Sequence, residues 1–169
     1  MLMTIGEFAK EASALLRADS GPTGRAKVCE LLKKVLSDKA FVDKYIPEDT
    51  TERELLYEDP VLKFCIFAEQ KTGAKTGAPH DHGPSWAIYG QAAGVTEMAE
   101  WEIVETAKDG KPGKIRKLRS YSMTPGTAYV YNEGLLHSPS RTGPTRLVRF
   151  EGMNLDALRA SRPVFDVVS

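Results

Sequence analysis

The chain holds three histidines, His80, His82 and His137, and their placement is the strongest chemical signal in its 169 residues. In Pro79-His80-Asp81-His82 two imidazoles stand at i and i+2, which on a strand puts both on one face with Cα atoms ~6.6 Å apart. Two nitrogen donors so spaced converge on one metal ion, with the Asp81 side chain turned to the opposite face. His137 follows the apolar run Thr127–Tyr131 and an Asn132-Glu133-Gly134 turn, so a neighbouring strand can bring it to the same point. Three nitrogen ligands on rigid strands leave coordination positions open, as catalytic metal sites require. An imidazole must be neutral to donate its lone pair, so with an unperturbed pKa of ~6.5 binding is expected to fade below about pH 6. The alternative reading is an incidental pair of surface histidines at 80 and 82.

Elements to position these groups are written in the turn residues. Residues 1–59 hold three Gly and two Pro, whereas residues 60–169 hold eleven and eight, so helices are expected first and strands afterwards. Thr4-x-x-Glu7 has capping-box spacing, and Ile5, Phe8, Ala9, Ala12, Leu15 and Leu16 recur on one helical face up to Gly21-Pro22. Val28, Leu31, Leu32, Val35 and Leu36 form a second stripe, continued by Phe41, Val42 and Tyr45 before Pro47. Both stripes read as core-facing. Apolar runs then shorten to strand length at Val61–Ala68, Trp86–Tyr89, Trp101–Val104, Thr127–Tyr131 and Leu147–Phe150, with a turn-rich link at Lys108–Gly113. The expectation is one mainly β domain over residues 1–169. A helical segment, residues 1–50, packs outside a barrel or jelly roll over residues 51–169.

Composition excludes several classes. Lys plus Arg equals Asp plus Glu at 23 each, so no global field favours nucleic acid or an anionic membrane, and neither is expected as a partner. No run approaches a membrane span and the N-terminus lacks a leader pattern, so a cytoplasmic protein is expected. Cys29 and Cys65 read as free core thiols. No phosphate-cradling loop, Ser-centred elbow or paired-cysteine zinc motif is present.

Over about residues 54–156 the motifs resemble the cupins, and within them the thiol dioxygenases of the cysteine and mercaptopropionate type. Leu55-Leu56-Tyr57-Glu58-Asp59-Pro60, Lys63-Phe64, Pro79-His80-Asp81-His82, and Trp86 with Gly90 and Gly94 are similar to the first half of that group in order and spacing. Pro125-Gly126, Ala128-Tyr129 and Leu136-His137 resemble the second half, and Gly152-Met153-Asn154-Leu155 resembles the stretch after its last core strand. The resemblance implies a double-stranded β-helix in which His80, His82 and His137 bind a non-heme Fe(II). It departs at informative places. Trp86 and Ala87 stand where the general cupin pattern has a Glu ligand. Leu147, Arg149 and Glu151 stand where the family carries Ser, His and Tyr, and Ala87 with Glu151 excludes the Cys–Tyr crosslink of the animal-type enzymes.

Arg149 and Glu151 share one face of a strand. If that face is the barrel interior, Arg149 is a bidentate partner for a carboxylate, and Glu151 takes a proton or holds Arg149 in place. If it is not, the two are an exposed ion pair with Val148 and Phe150 inward. Trp86 and Tyr129 are further substrate-binding candidates that could face the cavity mouth, although packing is the better explanation for each. Arg53 is a candidate through the family, which places a carboxylate-binding side chain near it. The function expected is a dioxygenase that oxidises the sulfur of a small thiol carboxylate with O2. A cupin lyase or isomerase using Zn, Mn or Ni, and a non-catalytic ligand-binding cupin, are the alternatives.

Overall fold

The computed structural model describes residues 3–157 and 164–169. Helices α1 (Ile5–Ala18), α2 (Pro22–Leu36) and α3 (Lys39–Tyr45) precede the strands. These are β1 (Glu54–Glu58), β2 (Cys65–Lys71), β3 (Lys75–Thr76), β4 (Ala87–Ala93), β5 (Thr96–Glu105), β6 (Gly113–Met123), β7 (Ala128–Tyr131), β8 (Leu136–Arg141), β9 (Thr145–Glu151) and β10 (Phe165–Val167). At the start of α1 the Thr4 hydroxyl accepts from the Glu7 N–H, and the Glu7 carboxylate accepts from the Thr4 N–H at 2.7 Å. This reciprocal cap satisfies two donors that the first turn leaves open. Pro22 stands in the first turn of α2, where its missing N–H costs nothing.

The run Val61–Ala68 is only partly strand. The Asp59 carboxylate accepts from the N–H groups of Val61 and Leu62 at 2.9 and 2.6 Å, and Lys63 takes a φ of 62°, so the chain turns before extending at Cys65. Strands β6 and β8 carry no apolar run in the sequence. Most of β6 is exposed, and β8 interleaves the site residue His137 with Ser and Pro.

The strands form two five-stranded sheets, β1-β2-β9-β4-β7 and β10-β6-β5-β8-β3. Within them β2 to β9 pair first with eighth and third with sixth in one sheet, and second with seventh and fourth with fifth in the other. From β2 to β9 the chain crosses between sheets at every connection except the β5–β6 hairpin. This is the jelly-roll wiring of a double-stranded β-helix, with the N-terminal helices packed outside it, as expected.

The helices cover the outer face of the first sheet. Phe8, Val28 and Leu32 from α1 and α2 join Ile66, Ile88, Val148 and Phe150 in one fully buried cluster. Gly90 in β4 permits this approach, because a Cβ there would lie 2.5 Å from the Leu36 side chain and 2.8 Å from that of Leu32. The sheet's other face looks into the barrel, where a smaller cluster, Ala87, Tyr89, Met98, Met123 and Tyr131, lies beside charged and histidine side chains. No helix among the described residues is long and apolar enough to cross a membrane.

Candidate metal centre

His80 and His137 face one another across the strands. The N–H of each donates to the carbonyl of the other, at 3.0 and 2.9 Å, which makes an isolated antiparallel bridge with both rings on its inner side. Their Nδ1 atoms repeat one pattern, since each lies 2.9 Å from the carbonyl two residues earlier, of Ala78 and of Leu135. A carbonyl can only accept, so both rings carry the proton on Nδ1 and turn the Nε2 lone pair inward, as metal-binding histidines do. His82 arrives differently. After His80 the chain leaves the strand, Asp81 Oδ1 accepts from the Gly83 N–H at 2.9 Å, and Gly83 has a φ of 58°. The expected strand face shared by His80 and His82 is therefore a bridge followed by a turn, which the Asp81 carboxylate closes.

The rings still converge. Centroids of His80 and His82 lie 4.6 and 4.8 Å from that of His137, and the candidate ligand atoms all fall within 4.8 Å of one another. All three residues are buried, His137 completely. With metal–nitrogen bonds of ~2.1 Å, ligand nitrogens sit ~3.0–3.4 Å apart, so small ring rotations close the site on an ion. The donor set fits a divalent metal held by three imidazoles.

Several groups position this triad. Tyr131 is fully buried and stacks on His137 at 4.3 Å, while its phenol bonds the Tyr121 hydroxyl at 3.0 Å and Tyr121 donates to Glu100 at 2.9 Å. Burial pushes the Tyr131 phenol well above its usual range, so it stays protonated. The turn before β8 is clamped from outside. Arg25 of α2 donates to Glu133 at 2.5 and 2.8 Å and to Asn132 at 2.9 Å, with its guanidinium 5.1 Å over the Trp86 ring.

Arg149 and Glu151 face the barrel interior, while Val148 and Phe150 face the helices, and β9 lies between β2 and β4 rather than at an edge. Arg149 Nη2 is 3.4 Å from His82 Nδ1, its guanidinium carbon lies 5.0 Å over the Tyr89 ring, and its Nε is 2.5 Å from Glu151 Oε1. That last contact is a charge pair and not an aligned hydrogen bond, because the N–H does not point at the oxygen. Glu69 and Glu151 each bridge Arg149 to Arg53, whose Nη2 meets Glu151 at 3.1 Å and whose Nε meets Asp156 at 2.9 Å. Burial opposes the charge on both arginines, but the flanking carboxylates, with Tyr89 beside Arg149, hold both guanidinium groups above their ordinary value.

The remaining sequence candidates lie elsewhere. Trp86 stacks on Phe150 at 5.6 Å in the helix-facing layer, not at the cavity mouth, because it alternates with inward Ala87 and Tyr89 and shares the side of Ile88. Tyr129 packs on Tyr121 at 4.4 Å and against the interior cluster, beside its register partner Tyr89, and does not itself line the cavity. Arg53 sits in the ion network, its guanidinium 3.6 Å over Phe67. Ala87 and Glu151 are direct register partners, and neither side chain can form the sulfur–ring link. Cys29 and Cys65 are free and buried, and burial pushes each thiol up to about 11, as for inert core cysteines.

Tyr89 was legible only as a packing residue. Its phenol lies 3.1 Å from His82 Nε2 and its ring 5.8 Å from His137. Its register opposite Arg149 is the signal that places it, and register is a property of the folded sheet.

No family model matches the chain, and no curated protein matches it in sequence. Solved structures do resemble it. A cupin-2 domain protein from Shewanella frigidimarina is 14% identical, with a TM-score of 0.46, over 65% of this chain and 89% of that one. A double-stranded β-helix protein from Klebsiella pneumoniae is 14% identical, with a TM-score of 0.44, over 65% and 80%. KdgF from Halomonas sp. is 19% identical, with a TM-score of 0.41, over 59% and 74%. The fold assignment itself rests on the strand pairing described above.

Proposed function

We propose that this chain is a cupin-type non-heme Fe(II) oxygenase that oxidises the sulfur of a small thiol carboxylate with O2. The observation carrying this reading is the convergence of three imidazoles, with no carboxylate in the cluster, inside a jelly roll and beside a cation-lined cavity. Neutral ligands leave a ferrous ion its full charge, so the bound metal favours an anionic thiolate and supplies the redox chemistry between sulfur and O2. The overall change is R–SH + O2 → R–SO2H, in which sulfur loses four electrons and O2 gains them. In this chain Ala78 and Leu135 orient the rings, Arg149 holds a positive charge beside His82, and Tyr89 and the buried wall keep water from the sulfur.

A Lewis-acid lyase or isomerase using Zn, Mn or Ni is the second reading. It is favoured by the carboxylate of Glu69 on the cavity wall and the Tyr89 phenol beside His82, both proton-transfer groups, where the thiol dioxygenases have Ser, His and Tyr on the last strand.

Metal analysis and an oxygen electrode decide between them. Purified protein should bind one divalent ion, lost in His80→Ala, His82→Ala and His137→Ala but kept in Asp81→Ala. Iron-loaded protein should consume O2 with 3-mercaptopropionate or cysteine and give a product heavier by two oxygen atoms. Full metal occupancy in all three histidine variants would overturn the site. No oxygen uptake with any thiol would overturn the oxygenase and leave the Lewis-acid reading standing.

A further inference from the structure

The cavity above the triad has a volume of about 220 Å³. It is also layered along the barrel axis, because inward residues alternate along each strand. The deepest layer holds His80, Tyr89 and Arg149. Next come Leu147, Met98 and Pro139, with Met123 on the same wall, and beside these apolar groups lie Glu69 and Gln91, the register partners of Leu147, which also line the cavity. Lys71, Lys75 and Arg141 line the outer end, where Lys75 of β3 is the register partner of Arg141 of β8. Arg141 stands four positions beyond His137 on the same face of β8, so the rim lies ~13 Å along the strand from the metal ligand.

Charge accounting separates the two ends. Arg149, Arg53 and Lys71 are together matched by Glu151, Glu69 and Asp156, so Arg149 brings no unmatched charge to a substrate. Lys71 pairs with Glu69 at 3.3 Å. Lys75 and Arg141 have no ion-pair partner among the described residues, and Arg141 is held in place by donating its Nε–H to the Gly73 carbonyl at 2.7 Å. Glu52 is the one other carboxylate lining the cavity, which leaves the rim with a surplus of one positive charge.

We infer that the substrate is an elongated, singly charged anion. Its sulfur end sits at the metal, a middle of about four or five methylenes follows the Leu147–Met98–Pro139 side of the layer that Glu69 and Gln91 complete, and its carboxylate rests on Lys75 and Arg141 at the rim. This rests on the oxygenase reading for the identity of the sulfur end, whereas the rim subsite is defined by the cavity alone.

Anaerobic calorimetry on the metal-loaded protein tests it with three probes: 3-mercaptopropionate, 6-mercaptohexanoate and the uncharged 6-mercaptohexanol. The long acid should bind about tenfold more tightly than either of the others, and the advantage over the alcohol should shrink with added salt. Lys75→Glu, which leaves the Arg141–Gly73 bond intact, and Lys75→Ala/Arg141→Ala should both bring the acid-to-alcohol ratio close to one. Preference for 3-mercaptopropionate, or equal binding of acid and alcohol by the wild type, would overturn the rim subsite. Long-acid binding that depends on the rim but gives no O2 uptake would uphold the subsite and overturn the oxygenase. Uptake with 3-mercaptopropionate, unchanged in the rim variants and unmatched by the long acid, would uphold the oxygenase and overturn the subsite.

Discussion

One strand, β9, separates two regions built on opposite principles. On its outer side Val148 and Phe150 enter an apolar layer shared with the helices, where Phe150 stacks on Phe64 at 4.7 Å and meets Phe8 edge-on at 6.2 Å. On its inner side Arg149 and Glu151 belong to a buried network in which each charge is offset by a neighbour. Burial of apolar surface is non-directional, so the outer layer stabilises without specifying chemistry. A buried charge is tolerated only with its partners in place, so the inner layer is fixed in geometry and adds little net stability. The lesson is a division of labour. The helix–sheet layer holds the barrel folded, and the interior is left to be polar.

The sharpest way to break this comparison is to mutate the two sides of β9 separately. Phe150→Ala leaves a cavity among rings and should cost ~3–5 kcal/mol in urea unfolding, with metal stoichiometry unchanged at low denaturant. Glu151→Leu should cost about 3 kcal/mol, because it leaves buried Arg149 with only its 3.9 Å contact to Glu69 and takes one carboxylate from Arg53. The double variant Arg149→Leu/Glu151→Leu should recover most of that loss, because it removes both members of the pair. A double variant no more stable than Glu151→Leu alone would show that the network stabilises in its own right.

A third test asks how far the two regions are coupled. Arg25 lies in the outer layer yet grips the turn that leads to His137. Arg25→Met should cost ~1–2 kcal/mol and also lower metal affinity several-fold, read by competition with a chromophoric chelator. A change in stability with unaltered affinity would separate the regions completely.

The smallest effect is expected at Asp59, which is buried beside α1. Burial alone would raise its carboxyl, but the N–H groups of Leu62 and Val61, with Ser13 and Arg17, outweigh it and hold it below its ordinary value of 3.8. A depressed folded-state value means stability that is present above about pH 4 and is lost as pH falls through the folded value. Asp59→Asn should therefore be less stable than wild type at pH 7, and the two curves should draw together below pH 4. Parallel curves across that range would remove Asp59 from the acid limb.

Much of this was legible in the residues. The capping box at Thr4 and Glu7, the helical stripes and the scarcity of histidine are local patterns, and local patterns survive translation into structure because they depend on residues a few positions apart. Strand ends were less legible. Asp59 and Lys63 build a turn inside an apolar run, and β6 has a largely exposed face that no apolar alternation marks. Trp86 illustrates the limit well. A single residue of register sends its ring to the helices rather than to the cavity.

The sequence by itself determined that helices precede strands, that His80, His82 and His137 are the imidazoles able to share a metal, and that Arg149 and Glu151 lie on one strand face. Tertiary structure alone decided which face that was, that His82 reaches the site from a turn, that Tyr89 stands against it, and that Lys75 and Arg141 meet at the cavity rim. The physical reason is that alternation along a strand fixes what shares a side. Which side is interior depends on the strands and helices that pack against it, and these come from distant parts of the chain.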